Sequence, residues 1–205
     1  MNKDRKPNIQ LFCKIIVKDK DGKVVSDREI ECDSFLSNFL ALLRSALTNS
    51  FQTAVSVDGV VRTQAHIGHF YSVWNNAYTV VYLPLPTLRV NAPEASASYG
   101  IVVGTGTTPV SPTDYKLEKQ IPHGTGSGQL YYRAVSVGSV VVSGNVSKIS
   151  MTRTLINYTS SDIVVRETGV YAGPTPTMII RDVLSEPVTV KAMGGAIVVS
   201  YTIEI

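Results

Sequence analysis

Apolar and polar residues alternate in two runs near the start of the chain, IQLFCKIIVK and KVVSDREIE. A period of two marks a half-buried strand. Asp21-Gly22 lies between the runs, and Asp-Gly is a strong signal for a two-residue hairpin turn. The pattern predicts a β-hairpin over residues 9–31. A turn centred there sets Cys13 opposite Ile30 and Lys14 opposite Glu29. Opposite charges facing each other across the strands favour that register.

The period then changes. In DSFLSNFLALLRSALTNS, the residues Phe35, Leu36, Phe39, Leu40, Leu43, Ala46 and Leu47 recur at helical spacing. Asp33 or Ser34 can cap the start, because a short side-chain oxygen accepts a free backbone N–H there, and Asn49 can end the helix. The apolar face is wide and is expected to pack on a sheet or on a neighbouring subunit. Arg44 is its single cation, whereas a membrane-surface helix carries a basic face.

Residues 50–98 hold a second Asp-Gly hairpin signal, VSVDGVVRT, and a dense set of aromatics: Phe70, Tyr71, Trp74, Tyr78 and Tyr82. Pro84, Pro86 and Pro93 mark turns or edges. This stretch reads as an aromatic-rich insertion or arm. From residue 99 onward, short apolar runs separated by Gly, Pro, Asn and Ser predict strands at 99–104, 130–137, 139–143, 147–157, 162–172, 177–184, 187–192 and 196–205. The closing run AIVVSYTIEI is expected inside a sheet, since a long apolar strand at an edge invites aggregation. The expected fold is mainly β: an antiparallel, jelly-roll-like β-sandwich with an N-terminal β-hairpin and one α-helix. Its regions are 1–49, 50–98 and 99–205, with the first able to join the last in one compact domain.

Composition sharpens this. Charged residues are 17% of the chain, below the usual quarter, which suits a protein that buries surface against partners. A net charge of +3 is too small to argue for nucleic acid. No apolar stretch approaches the roughly 20 residues needed to span a bilayer. The two cysteines, Cys13 and Cys32, form neither a metal set nor a disulfide framework. The hairpin makes them diagonal neighbours on one face, so free buried thiols are expected.

Candidate chemistry is sparse. The stretch YGIVVGTGTTPVSPTDYKLEKQI offers Gly104 and Gly106, but a phosphate-binding loop needs a Lys just after its last glycine, and none occurs before Lys116. Pro109 and Pro112 would interrupt a crossover helix. HGTGSGQL has the composition of a flexible loop. His66 and His69 form an H-x-x-H pair, with His123 distant, which falls short of a metal set of three or four ligands unless symmetry copies contribute. Glu167 and Asp182 lie among apolar strand residues and are expected to pair with Arg166, Arg181 or Arg153. Asn145 and Asn157 match the glycosylation pattern, a common accident. No catalytic, cofactor-binding or metal-binding residue is assigned.

The Gly-Thr-Gly stretch carries a resemblance instead. Gly104, Thr105, Gly106, Pro109, Pro112, Asp114 and Leu117 match a phrase of small virion structural proteins of tailed bacteriophages, in which a strand runs into a Gly-Thr-Gly turn and a Pro/Thr/Ser bend. The stretch RTLINYTSSDIVVRETGVYAG, the later MIIRDVLSEPVTVKAMGGAIVVSYTIEI and the DSFLSNFLALL segment look similar to these proteins as well. Residues 50–98 match nothing in the family. The resemblance implies β-sandwich modules working as head decoration, fibre or tail components, without catalysis. The implied partners are the chain itself, as a homotrimer or other ring, and other virion proteins, with no nucleic acid and no membrane, and the implied place is the virion. On that basis Leu36, Phe39, Leu40 and Leu43 of the helix and Phe70, Tyr71, Trp74, Tyr78 and Tyr82 of the arm are the expected interface. The alternative is a carbohydrate or receptor reader on a fibre, with Trp74, Tyr78 and Tyr82 stacking on sugars of a host surface glycan. The GTGTTP stretch is then expected to be a hinge between the arm and the sandwich, with Gly104 and Gly106 supplying backbone freedom.

Overall fold

A computed structural model describes residues 9–32, 35–48, 52–64, 70–74, 77–81, 88–173 and 175–205. The chain opens with β1 (Gln10–Lys18) and β2 (Val24–Cys32), followed by α1 (Ser37–Thr48). Two small hairpins follow, β3 (Gln52–Val55) with β4 (Val61–Gln64), and β5 (Phe70–Trp74) with β6 (Ala77–Val81). The remaining strands are β7 (Gly100–Gly104), β8 (Tyr131–Tyr132), β9 (Ser136–Val137), β10 (Val141–Ser143), β11 (Val146–Asn157), β12 (Ile163–Ala172), β13 (Thr177–Val190) and β14 (Gly195–Glu204). The described residues are mainly β, with antiparallel sheets and one helix in a sandwich-like arrangement, as the alternating pattern predicted.

The larger sheet runs β10-β11-β14-β1-β2, with β8 and β9 also pairing β11; the smaller runs β13-β12-β7. The closing strand β14 lies between β11 and β1, inside the larger sheet. The N-terminal hairpin is therefore part of the sandwich. Leu11, Cys13, Ile15 and Val17 of β1 alternate into the core beside Ile197, Val199 and Tyr201 of β14. Each such side chain stabilises the fold by about 1.5–3 kcal/mol on burial. The smaller sheet is covered on its second side too. Leu117 lies over Gly169, its Cδ2 3.2 Å from where a Cβ there would sit, and its N–H reaches the Tyr171 hydroxyl (2.8 Å). Burial from both sides explains why all five residues of β7, GIVVG, are buried and why no alternation shows there.

The hairpin register is as expected, Cys13 with Ile30 and Lys14 with Glu29. Lys14 nevertheless makes its ion pair diagonally, with Asp27 (3.2 Å). The turn is longer than two residues. Gly22 N–H reaches Asp19 O and Asp19 N–H reaches Lys23 O, so Lys20, Asp21 and Gly22 form a three-residue loop with Gly22 at φ 81°. The second Asp-Gly signal gives the same loop: Gly59 N–H to Ser56 O, Ser56 N–H to Val60 O, and Gly59 at φ 80°.

Other boundaries also move. Phe35 bridges Ile180 as extended chain, so the helix starts at Ser37; Asp33, Ser34 and Asn49 lie outside the described residues. The expected strands 177–184 and 187–192 are one strand, β13. Its register shifts between Val165 and Glu167, so the exposed Ser185-Glu186-Pro187 break is a bulge, where proline's missing N–H does no harm. Residue 104 is no boundary between arm and sandwich, because β7 is an integral strand of the smaller sheet, paired with β12.

Candidate functional site

The Gly-Thr-Gly loop is built around one buried carboxylate. Glu167 has no exposed surface. Its Oε1 accepts N–H groups from Gly106 (3.0 Å) and Lys119 (2.8 Å), and its Oε2 accepts from Glu118 N–H (3.1 Å) and from Arg181 Nε (3.1 Å) and Nη2 (3.0 Å). Arg181 also donates to Asp114 (2.7 Å) and to Thr108 O (3.0 Å). Burial alone would lower the Arg181 pKa, but the bonds to Asp114 and Glu167 outweigh it and raise the value. Glu118 closes the outer side, accepting from Thr107 N–H (2.7 Å) and Thr108 N–H (2.8 Å), and those bonds hold its pKa below the ordinary glutamate value. The expected pairing of Glu167 with an arginine is thus found, with Arg181. Five donors on two oxygens fill the carboxylate's acceptor positions with groups of the chain itself.

This corrects the hinge. Neither Gly104 nor Gly106 has a positive φ. A Cβ at either position would come within 2.5 Å of Glu167 Oε1. These glycines are needed for close approach to the carboxylate, and the loop is clamped to β12 and β13.

Arg153 on β11 is a second buried cation, fully covered and without a carboxylate. Its five N–H donors go to the carbonyls of Arg133 (2.7 Å), Tyr99 (3.3 Å), Ile101 (2.9 Å), Pro93 (3.3 Å) and Ser96. Its guanidinium lies 4.7 Å from the centre of the Tyr132 ring. Burial pushes its pKa down to about 10, and the carbonyl cage favours the charged form against that. Arg153 thereby ties the segment 93–101 to the larger sheet.

Of the arginines expected beside Asp182, Arg181 bonds Glu167 and Asp114 and Arg153 bonds backbone carbonyls. Successive strand residues face opposite ways, so Arg181 points to the loop and Asp182 points between the sheets, where it accepts from the Tyr201 hydroxyl (2.9 Å). Cys13 and Cys32 are buried free thiols beside it, as expected. A hydrogen bond with Cys13, then burial and the nearby Asp182, raise the Cys32 pKa. A cavity of about 30 Å³ opens beside Cys13, lined also by Arg28, Ile30, Leu184 and Glu186. It has room for about one water, far below the roughly 300–1,000 Å³ of a ligand pocket.

The other polar candidates serve local structure. His123 Nδ1 accepts Tyr132 N–H (3.1 Å), and the ring packs against Tyr131; His66 and His69 lie outside the described residues. Asn157 is fully buried, donating to Ser161 O and Val190 O (both 2.9 Å), so its amide is engaged inside the fold and not open to a glycan. Among the described residues no group of three or more His, Cys, Asp or Glu is placed to hold a metal, and no helix is long and apolar enough to cross a membrane.

The helix differs most from its pattern. Its buried residues are Asn38, Leu42 and Ser45. Asn38 donates to Val55 O and accepts Val55 N–H (3.0 Å each), pairing with β3 as a strand backbone would. Arg44 hydrogen-bonds Gln52 on the same strand. Asn38, Leu42 and Ser45 therefore face in, and the predicted stripe turns partly outward: Leu40 is 62% and Leu47 78% exposed, with Leu43 and Phe39 half-buried and Phe39 stacked on Phe35 at 4.4 Å. Leu36 is corrected: at 1% exposure it belongs to the chain's own core and is closed to a partner. In the arm, Phe70, Tyr71, Trp74 and Tyr78 fall on the β5–β6 hairpin, with Val73 opposite Tyr78 and Trp74 opposite Ala77. Tyr82 lies outside the described residues. One further exposed apolar group was not expected, Val137, Val140, Val141 and Val142, although the run VVV between two serines is plain in the sequence.

Comparison of the chain with protein-family models, with curated proteins and with solved structures found no match.

Proposed function

We propose that the chain is a non-enzymatic structural component of a tailed-phage virion, placed on the exterior of the head or tail and acting through repeated subunit contacts. The observation that carries this reading is the pair of outward leucines on α1. Asn38 holds the helix in that orientation by two hydrogen bonds to Val55, so Leu40 and Leu47 sit exposed two turns apart on one face, with half-buried Leu43 between them. Such a seam suits helix-to-helix contact between subunits. The charged groups under the Gly-Thr-Gly loop support it, since their bonds are spent on holding the loop. The resemblance of that loop and of the C-terminal strands to phage virion proteins supplies the setting. Many weak contacts in one symmetric shell add up to high avidity.

Electron microscopy of purified particles carrying a labelled copy tests the proposal. Label at regular positions on the particle surface is the expected result. A chain that stays a soluble monomer and never appears in particles overturns it.

A further inference from the structure

Among the described residues the two sandwich sheets have four edges, and three are protected. The β7 edge is covered by the returning loop, with Thr105 N–H to Lys119 O and Ile121 N–H to Val103 O (2.9 Å each). The β13 edge is covered by Leu36 and by Val57, whose N–H reaches Pro176 O (3.0 Å), with bridges Phe35–Ile180 and Ser56–Thr177. The β2 edge is guarded by a bulge and by charges: Asp27 pairs with Lys14, and Arg28 pairs with Glu186 (2.8 Å). Bulges and edge charges are the usual devices against unwanted strand pairing.

The β10 edge has none of these. Among the described residues its partner is β11 alone. Val140, Val141 and Val142 are 64%, 53% and 68% exposed, so both faces of the strand are open. No charged residue occurs between Arg133 and Lys148. Ser143 and Val146 close a two-residue loop with Gly144 at φ 59°. In such a hairpin the closing pair is hydrogen-bonded and the next pair is not, so the Val142 N–H and C=O face away from β11.

We propose that β10 is a pairing edge for a second copy of this chain, joined antiparallel to the same strand of the partner copy about a twofold axis. Self-pairing is favoured because an uncharged strand meets no like-charge repulsion from its own copy. Identical strands would also set valine beside valine, a favourable cross-strand contact. A strand this short buries less than the roughly 1,200 Å² of a stable standalone interface. It is therefore one contact of a set, and it deepens and rests on the assembly reading above.

The test is sedimentation of the purified full chain over a range of concentrations, with Val142→Pro and Val142→Lys beside wild type. Proline removes the outward N–H without costing a bond to β11, and thermal melting checks that each variant is folded. Reversible wild-type self-association, weakened at least tenfold in both variants, is expected. Slowed hydrogen exchange at the Val142 amide on raising wild-type concentration is the direct signature. A wild type that stays monomeric at its solubility limit, association unchanged in both folded variants, or protection of Val142 only on adding a different protein overturns the proposal. A chain that pairs through β10 in solution yet is absent from particles supports the pairing while removing the virion role. Particles that incorporate Val142→Pro normally, from a chain with no measurable self-association, overturn the pairing while keeping that role.

Discussion

The Gly-Thr-Gly loop and helix α1 present opposite faces of one rule. The loop is rich in Gly, Thr and Pro, the composition of a mobile connection, yet it is clamped. The helix has the stripe of a core helix, yet Leu40 and Leu47 of that stripe point outward. In each case a buried polar side chain helps decide. Glu167 collects the N–H groups of Gly106, Glu118 and Lys119 from 48 to 61 residues away. Asn38 pairs with Val55, 17 residues away. A buried polar group without partners costs about 1–3 kcal/mol, and a buried charge more. For Asn38 that is of the same size as the roughly 1.5–3 kcal/mol from burying one leucine, so Asn38 and the buried Leu42 together fix which face of α1 turns in.

The largest expected effect is on the loop. Glu167→Gln removes the charge facing buried Arg181 and should cost about 3–5 kcal/mol, read by chemical denaturation. A loss under 1 kcal/mol would mean that the loop is held some other way. Next, Asn38→Ala should cost about 1–3 kcal/mol, because Val55 loses both partners. Gly106→Ala belongs to the same range: its methyl would meet Glu167 Oε1 and Glu118 Cβ at 2.5 Å, an overpacking of about 1–3 kcal/mol.

A small effect separates the two regions most cleanly. Leu40→Gln should change chain stability by less than about 0.5 kcal/mol, as for an exposed site. A loss of about 2–5 kcal/mol, the range for a buried leucine, would show that the helix packs by its leucine stripe after all. The mildest test is a titration. Glu118 has a folded pKa below its unfolded value, so its contribution is present above the ordinary glutamate range and fades as pH falls through the folded value. The amide shifts of Thr107 and Thr108 should follow that transition by NMR and should lose it in Glu118→Gln. A midpoint at or above the ordinary value would break the cap.

Much of the sandwich was legible in the residues. Alternation gave β1 and the hairpin register, the Asp-Gly pairs marked both turns, and the apolar closing run was rightly placed inside a sheet. The length of the turns was not legible, since Asp-Gly serves two- and three-residue loops alike. Nor was the role of Gly104 and Gly106: a glycine needed for close approach looks the same as one needed for backbone freedom. Of the interface residues named from the pattern, Leu36 turned inward because Phe35 and Leu36 extend along β13 before the helix begins. Arg181, one of three arginines expected beside Glu167 or Asp182, meets Glu167, because alternation sends Arg181 and Asp182 to opposite faces of the same strand.

The sequence by itself determined the local periods, the turn positions and the β class, since these follow from side chains a few residues apart. Only the tertiary structure decided which face of α1 is covered, which carboxylate clamps the loop, and which of four sheet edges is left bare. Those depend on polar groups and strand neighbours that lie far apart along the chain and meet only when the two sheets close.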